Sequence, residues 1–178
     1  MPEALLSLIH KKRSAIIAKW FDSTVYAYAP DTAAFLKSQK DQFANPVGSS
    51  TLKGIETLLD QLLGDMNGEA IAASLDPIMR IRAVQSLSPA QATAFIFALK
   101  QVLRDMFDKQ LQDAGMARQF FEFEARIDRV CLAAFEIYLG CREQVFELKA
   151  NEMRNRTFRA FKRAGLVAVP KGRFARQA

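Results

Sequence analysis

Histidine is almost missing from this chain. His10 is the only one among 178 residues, and it stands in the polar run His-Lys-Lys-Arg. A single histidine excludes the common zinc arrangements, which need several His or Cys ligands at set spacings. A proximal haem ligand or a Ser-His-Asp relay would depend on that one side chain, placed on what should be a solvated turn. Cysteine is nearly as scarce, with Cys131 and Cys141 as the only two. On one helix they would lie about 15 Å apart at 1.5 Å rise per residue, too far to bridge. Thiolate ligation of haem is chemically open to them, yet no other residue pattern points to it. Missing too is an apolar run of roughly 18 residues, the length that crosses a bilayer. The short "ALLSLI" near the start gives way to charge without a small-residue cleavage site, so a cytoplasmic protein is expected. "GSSTLKG" lacks the Walker spacing, and period-two strand alternation is absent. Neither a metal, a cofactor nor an enzymatic activity is expected on these grounds.

What the chain does have is apolar mass at helical spacing. Half of its residues are hydrophobic and 14 are Phe, enough for one domain with a real core. From 3 to 28, Leu5, Leu8, Ile9, Ile16, Ile17, Trp20, Phe21, Val25 and Tyr28 recur at steps of three and four, interrupted by His10 to Arg13. Asp31 is placed to cap a short helix to about Phe43. "FANPVGSS" then breaks the chain, and Ser49 or Ser50 caps the next helix. Asp76-Pro77 reads as an N-cap with proline at the first helical position, opening a helix to about Ser86. Ser88 and Gln91 form a capping box. The following "ATAFIFAL" lacks a polar face for two turns, which marks the central helix of the core. A long last helix spans roughly Arg118 to Arg163. The expected architecture is all-α, with six or seven helices.

The positive charge is concentrated at one end. Nine of the 25 basic residues lie from Lys149 onward (Lys149, Arg154, Arg156, Arg159, Lys162, Arg163, Lys171, Arg173, Arg176), against one acid, Glu152, for a net of +8. Residues 1 to 148 hold the other 16 basic and 18 acidic side chains, a net of −2. The chain therefore divides into a helical domain, 1–150, and a basic extension with a flexible tail, 151–178. Arg154, Arg156, Arg159, Lys162 and Arg163 interleave with Phe158 and Phe161, giving a cationic amphipathic stretch. Nucleic acid, an anionic membrane or an acidic partner could contact it; a solvated helix end is the plainer reading.

One internal site stands out. In "RIRAVQSLSPAQATAFIFALK", Arg82 shares a helix face with Ile78 and Gln85, about 160° from Arg80 at 100° per residue. A guanidinium at the core needs a counter-charge, and Asp128, Glu124 and Glu143 on the last helix are the candidates. The residues favour a structural ion pair among Arg82, Asp128 and Glu143; an anion-binding site stays open. Cys131 and Cys141 read as small buried hydrophobes rather than redox sensors. Gly140, inside a helix, suggests close approach of a second helix at a dimer contact.

Trp20, "NPVG" at Asn45 to Gly48, "IRAVQSLSPAQATAF" from Ile81 to Phe95 and "CREQVFEL" from Cys141 to Leu148 resemble the N-terminal domain family of the RsbT co-antagonist RsbRD. The resemblance implies a sensory domain of bacterial stress signalling, with a haem-free globin-like helical fold and a tendency to dimerise. In full-length relatives this domain precedes an anti-sigma-antagonist domain with phosphorylated threonines. The present sequence holds no such domain and is expected to be a stand-alone copy, so neither phosphorylation nor binding of the RsbT kinase carries over. The resulting expectation is a non-enzymatic homodimer, paired through its first and last helices, that relays a cue to a protein partner. The alternative is an adaptor acting through its basic tail. A haem or ligand carrier is disfavoured by the lack of a core histidine.

Overall fold

Helical periodicity carries through into three dimensions. The structure is a computed structural model describing residues 3–26, 28–39, 41–85 and 87–166. Among these residues are seven α-helices, one 3₁₀ turn at Gln110–Gln112, and no strand. The helices are α1 (Glu3–Lys11), α2 (Arg13–Val25), α3 (Pro30–Ser38), α4 (Pro46–Leu63), α5 (Gly68–Val84), α6 (Pro89–Phe107) and α7 (Ala114–Arg163). Two compact units divide the chain, Met1–Arg142 and Glu143–Ala178.

In the first unit, α2 packs against α6 and α4, and α4 lies along α5. Gly54 makes the second pairing possible, since a Cβ there would fall 2.7 Å from Ile78 Cδ1 and 2.9 Å from the Ser74 carbonyl. Trp20 is fully buried at the centre. Its Nε1 donates to the Phe95 carbonyl at 2.6 Å, and its ring stacks on Phe95 with centroids 6.5 Å apart. That bond matters because a buried indole N–H without a partner would cost about 1–3 kcal/mol. Leu5, Ile9, Ile55, Leu58, Leu99, Leu103 and Ile127 complete the same core.

Several helix starts differ from the sequence reading. The α3 cap is Ala29, with Pro30 at the first helical position and Asp31 inside the first turn; α3 stops at Ser38. Asn45, not Ser49 or Ser50, caps α4, accepting from the Gly48 amide. Asn67 caps α5 nine residues before Asp76, and Pro77 sits inside that helix. Proline is tolerated there because Pro77 and Ala73, whose carbonyl loses its helical donor, both face solvent. Asp76 instead pairs with Arg80 one turn on, at 2.6 Å. The Ser88–Gln91 capping box is present in both directions. Although α6 is the central helix, Ala94 and Phe97 leave it an exposed side. The tail's Lys171, Arg173 and Arg176 lie outside the described residues, as does the stretch read from sequence as flexible.

Candidate functional site

Arg82 is the most deeply buried charge, with 2% of its surface exposed. Backbone carbonyls, not a carboxylate, meet it. Its Nη1 donates to the oxygens of Gln91 and Ala92 at 3.3 and 3.1 Å, and its guanidinium lies 4.6 Å from the centre of the Phe95 ring. Its Nε is the one buried side-chain polar atom without a partner among the described residues. Burial pulls its pKa below the ordinary arginine value, with Tyr28 acting weakly in the other direction. The carboxylates expected beside it are engaged elsewhere. Asp128 pairs with Lys100 at 2.7 Å, Glu124 with Arg104 at 2.6 Å, and Glu143 is exposed in the second unit. The first turn of α6 offers carbonyl lone pairs within reach of Arg82 Nη1.

The polar reach of α7 was not legible from its apolar stripe. Arg126 Nη1 donates to the carbonyls of Leu62 and Gly64 at 2.9 and 2.8 Å, closing the end of α4. Arg142 Nη1 donates to the Ala83 oxygen at 2.7 Å, and Tyr138 Oη donates to the Leu87 oxygen. The Leu62, Gly64 and Ala83 carbonyls lie at helix ends, where a cation can satisfy them, and the Leu87 carbonyl lies in the turn between α5 and α6. The α5–α6 turn is thus fastened by Arg82 from before it and by Tyr138 and Arg142 from α7.

A groove of about 580 Å³ opens among α2, α3 and α4. Ile17, Phe21, Leu36 and Leu52 give it an apolar floor. On its lining, Arg13 is engaged by Asp60 at 2.9 Å and Lys37 by Asp22 at 2.8 Å. Asn45 builds one wall: its Nδ2 donates to the Leu36 and Gln39 carbonyls, both at 2.9 Å, while Oδ1 accepts from the Gly48 amide at 2.8 Å. A Cβ at Gly48 would lie 2.3 Å from that Nδ2, so the "NPVG" stretch is an asparagine cap built around a glycine.

Cys131 and Cys141 are both buried and unbridged. Burial pushes both thiols above the ordinary value, and for Cys131 a hydrogen bond with Thr93 partly opposes this. His10 is exposed on α1. No group of three or more His, Cys, Asp or Glu among the described residues is placed to hold a metal.

Two surfaces remain uncovered. Within the first unit, α7 exposes Phe121, Leu132, Phe135 and Leu139, which fall within about 60° of its circumference at 100° per residue. Beyond its own helix's nearby backbone, no atom of the described residues lies within 4 Å of a Cβ built on Gly140, so none of them supplies the close neighbour expected there. In the second unit, every described residue from Glu147 to Leu166 is exposed, including Arg154, Arg156, Arg159, Lys162 and Arg163. No helix among the described residues is long and apolar enough to cross a membrane.

The described residues of the first unit form a small all-α bundle with a fastened internal turn and an uncovered helix face. The chain belongs to the RsbT co-antagonist protein rsbRD N-terminal domain family, whose model matches residues 14–153. This is a family of stress-signalling regulatory domains. An Archaeoglobus fulgidus protein described as an uncharacterized protein is 25% identical over 100 residues, covering 54% of this chain and 62% of its own length. The chain thus spans less than two thirds of that relative. No solved structure matches it.

Proposed function

We infer that the chain is a haem-free, non-enzymatic sensor domain that works in the cytoplasm of a bacterial cell as a homodimer and relays a cue to a protein partner through α7. The observation carrying this reading is the exposed apolar face of α7 in the first unit. Phe121, Leu132, Phe135 and Leu139 are 74%, 70%, 43% and 39% exposed on one side of the helix, and exposed apolar patches commonly mark interaction sites. A second copy offering the same face satisfies it by two-fold symmetry. The dimerisation implied by the family supports that choice of occupant.

The same helix supports relay. Tyr138 and Arg142 hold the α5–α6 turn through bonds to its carbonyls, so a small shift of α7 would disturb those bonds. The groove among α2, α3 and α4 is where a small molecule could bias packing, because α2 contacts both α4 and α6. The test is Leu132→Glu combined with Phe135→Glu. Both side chains are exposed, so the fold is expected to persist by circular dichroism while sedimentation shifts from dimer to monomer. A wild-type monomer, or a variant that still pairs, overturns the reading.

A further inference from the structure

The helix of the second unit poses a separate problem. From Glu147 to Leu166 none of the described residues covers it, and Met153, Phe158 and Phe161 are 71%, 54% and 50% exposed. No acidic residue occurs after Glu152. At about 100° per residue, Met153, Ala160 and Phe161 fall on one side, with Phe158 beside them. Arg156, Arg159, Lys162 and Arg163 fall within about 120° on the other side. Arg154 interrupts the apolar side between Phe158 and Phe161, and its long stem lets the charge reach outward past them.

Charge decides what can lie against this helix. A second copy would bring five further cations between residues 153 and 163 and no acid to meet them, so like charges oppose pairing here. Duplex nucleic acid would satisfy the cations through phosphates but leave the phenylalanines in water. An anionic lipid surface satisfies both sides at once. Phenylalanine and methionine enter the boundary between headgroups and acyl chains, while the arginines and lysine stay among the phosphates.

We propose that residues 153–164 form an interfacial helix that docks the protein onto anionic phospholipid. The inference does not depend on the dimer, since it draws on a different segment. It is tested by co-sedimentation of the full chain with vesicles of phosphatidylcholine containing about 30% phosphatidylglycerol, with pure phosphatidylcholine for comparison. Binding is expected only to the anionic vesicles. Phe158→Ser with Phe161→Ser, which leaves every cation in place, is expected to weaken it at least tenfold. Both positions are exposed, so the variant's thermal unfolding should match the wild type and separate lost docking from lost folding. Three results would overturn the proposal: no binding to anionic vesicles, binding that the phenylalanine variant leaves unchanged, or binding to duplex DNA or polyglutamate without binding to vesicles.

Discussion

The first unit and the second solve the same problem in opposite ways. Within 1–142, most apolar residues at helical spacing are covered by neighbouring helices, the outer face of α7 excepted, and most of the polar atoms that burial traps are met by carbonyls, as at Trp20 Nε1 and Arg82 Nη1. Within 143–166, helical spacing persists but most of the apolar residues stay in water. Helices without tertiary packing are marginal, because propensity alone offers little once nucleation is counted. The contrast shows that amphipathic spacing alone does not say what a face meets. In the first unit it mostly meets the chain's own helices; in the second none of the described residues covers it.

Mutations across the two units should therefore differ sharply. Trp20→Ala is expected to cost about 3–5 kcal/mol, since it removes a fully buried ring and its bond to Phe95. Phe161→Ala should change stability by less than about 0.5 kcal/mol, as exposed positions generally do. Urea unfolding of both variants checks the pair, and similar losses would break the comparison. Arg82→Met sharpens it from within the core. It removes a desolvated charge whose Nε is unpaired and keeps the packing volume, so stability should hold or rise by about 1 kcal/mol. A loss above about 2 kcal/mol would show that the carbonyl contacts of Arg82 outweigh its desolvation.

The smallest effect concerns the thiols. Both are buried, and their folded pKa values lie above the ordinary thiol value. Each therefore contributes stability that is fully present below the ordinary thiol pKa and lost as pH rises through the raised folded value. Alkylation of the native protein near neutral pH should be slow compared with the unfolded chain and should accelerate only in alkali. Fast labelling at neutral pH would place an exposed, reactive cysteine where the structure puts a buried one.

Much of this was legible before any coordinates. The capping box at Ser88, the long last helix and the buried fate of Trp20, Cys131 and Cys141 follow from spacing and residue type. Signals that several residues can supply went astray. Asp76-Pro77 has the form of a helix start, but Asn67 had already capped α5, and proline on a wet face is compatible with continuing the helix. Asn45 outcompetes Ser49 as a cap because its amide can also tie the α3 end through the Leu36 carbonyl, a long-range gain no local pattern reveals. Sequence also implied that Arg82 needs a counter-charge. It could not show that the α6 carbonyls would come within hydrogen-bonding distance, nor that Asp128 would be taken by Lys100.

The dimer carries the signalling account, and native mass spectrometry of the freshly purified full chain tests it most directly. Two copies of the 20.0 kDa chain with no added mass are expected. A bare monomer would contradict the account, because it would remove the interface on which relay through α7 depends. A retained haem would contradict it as well.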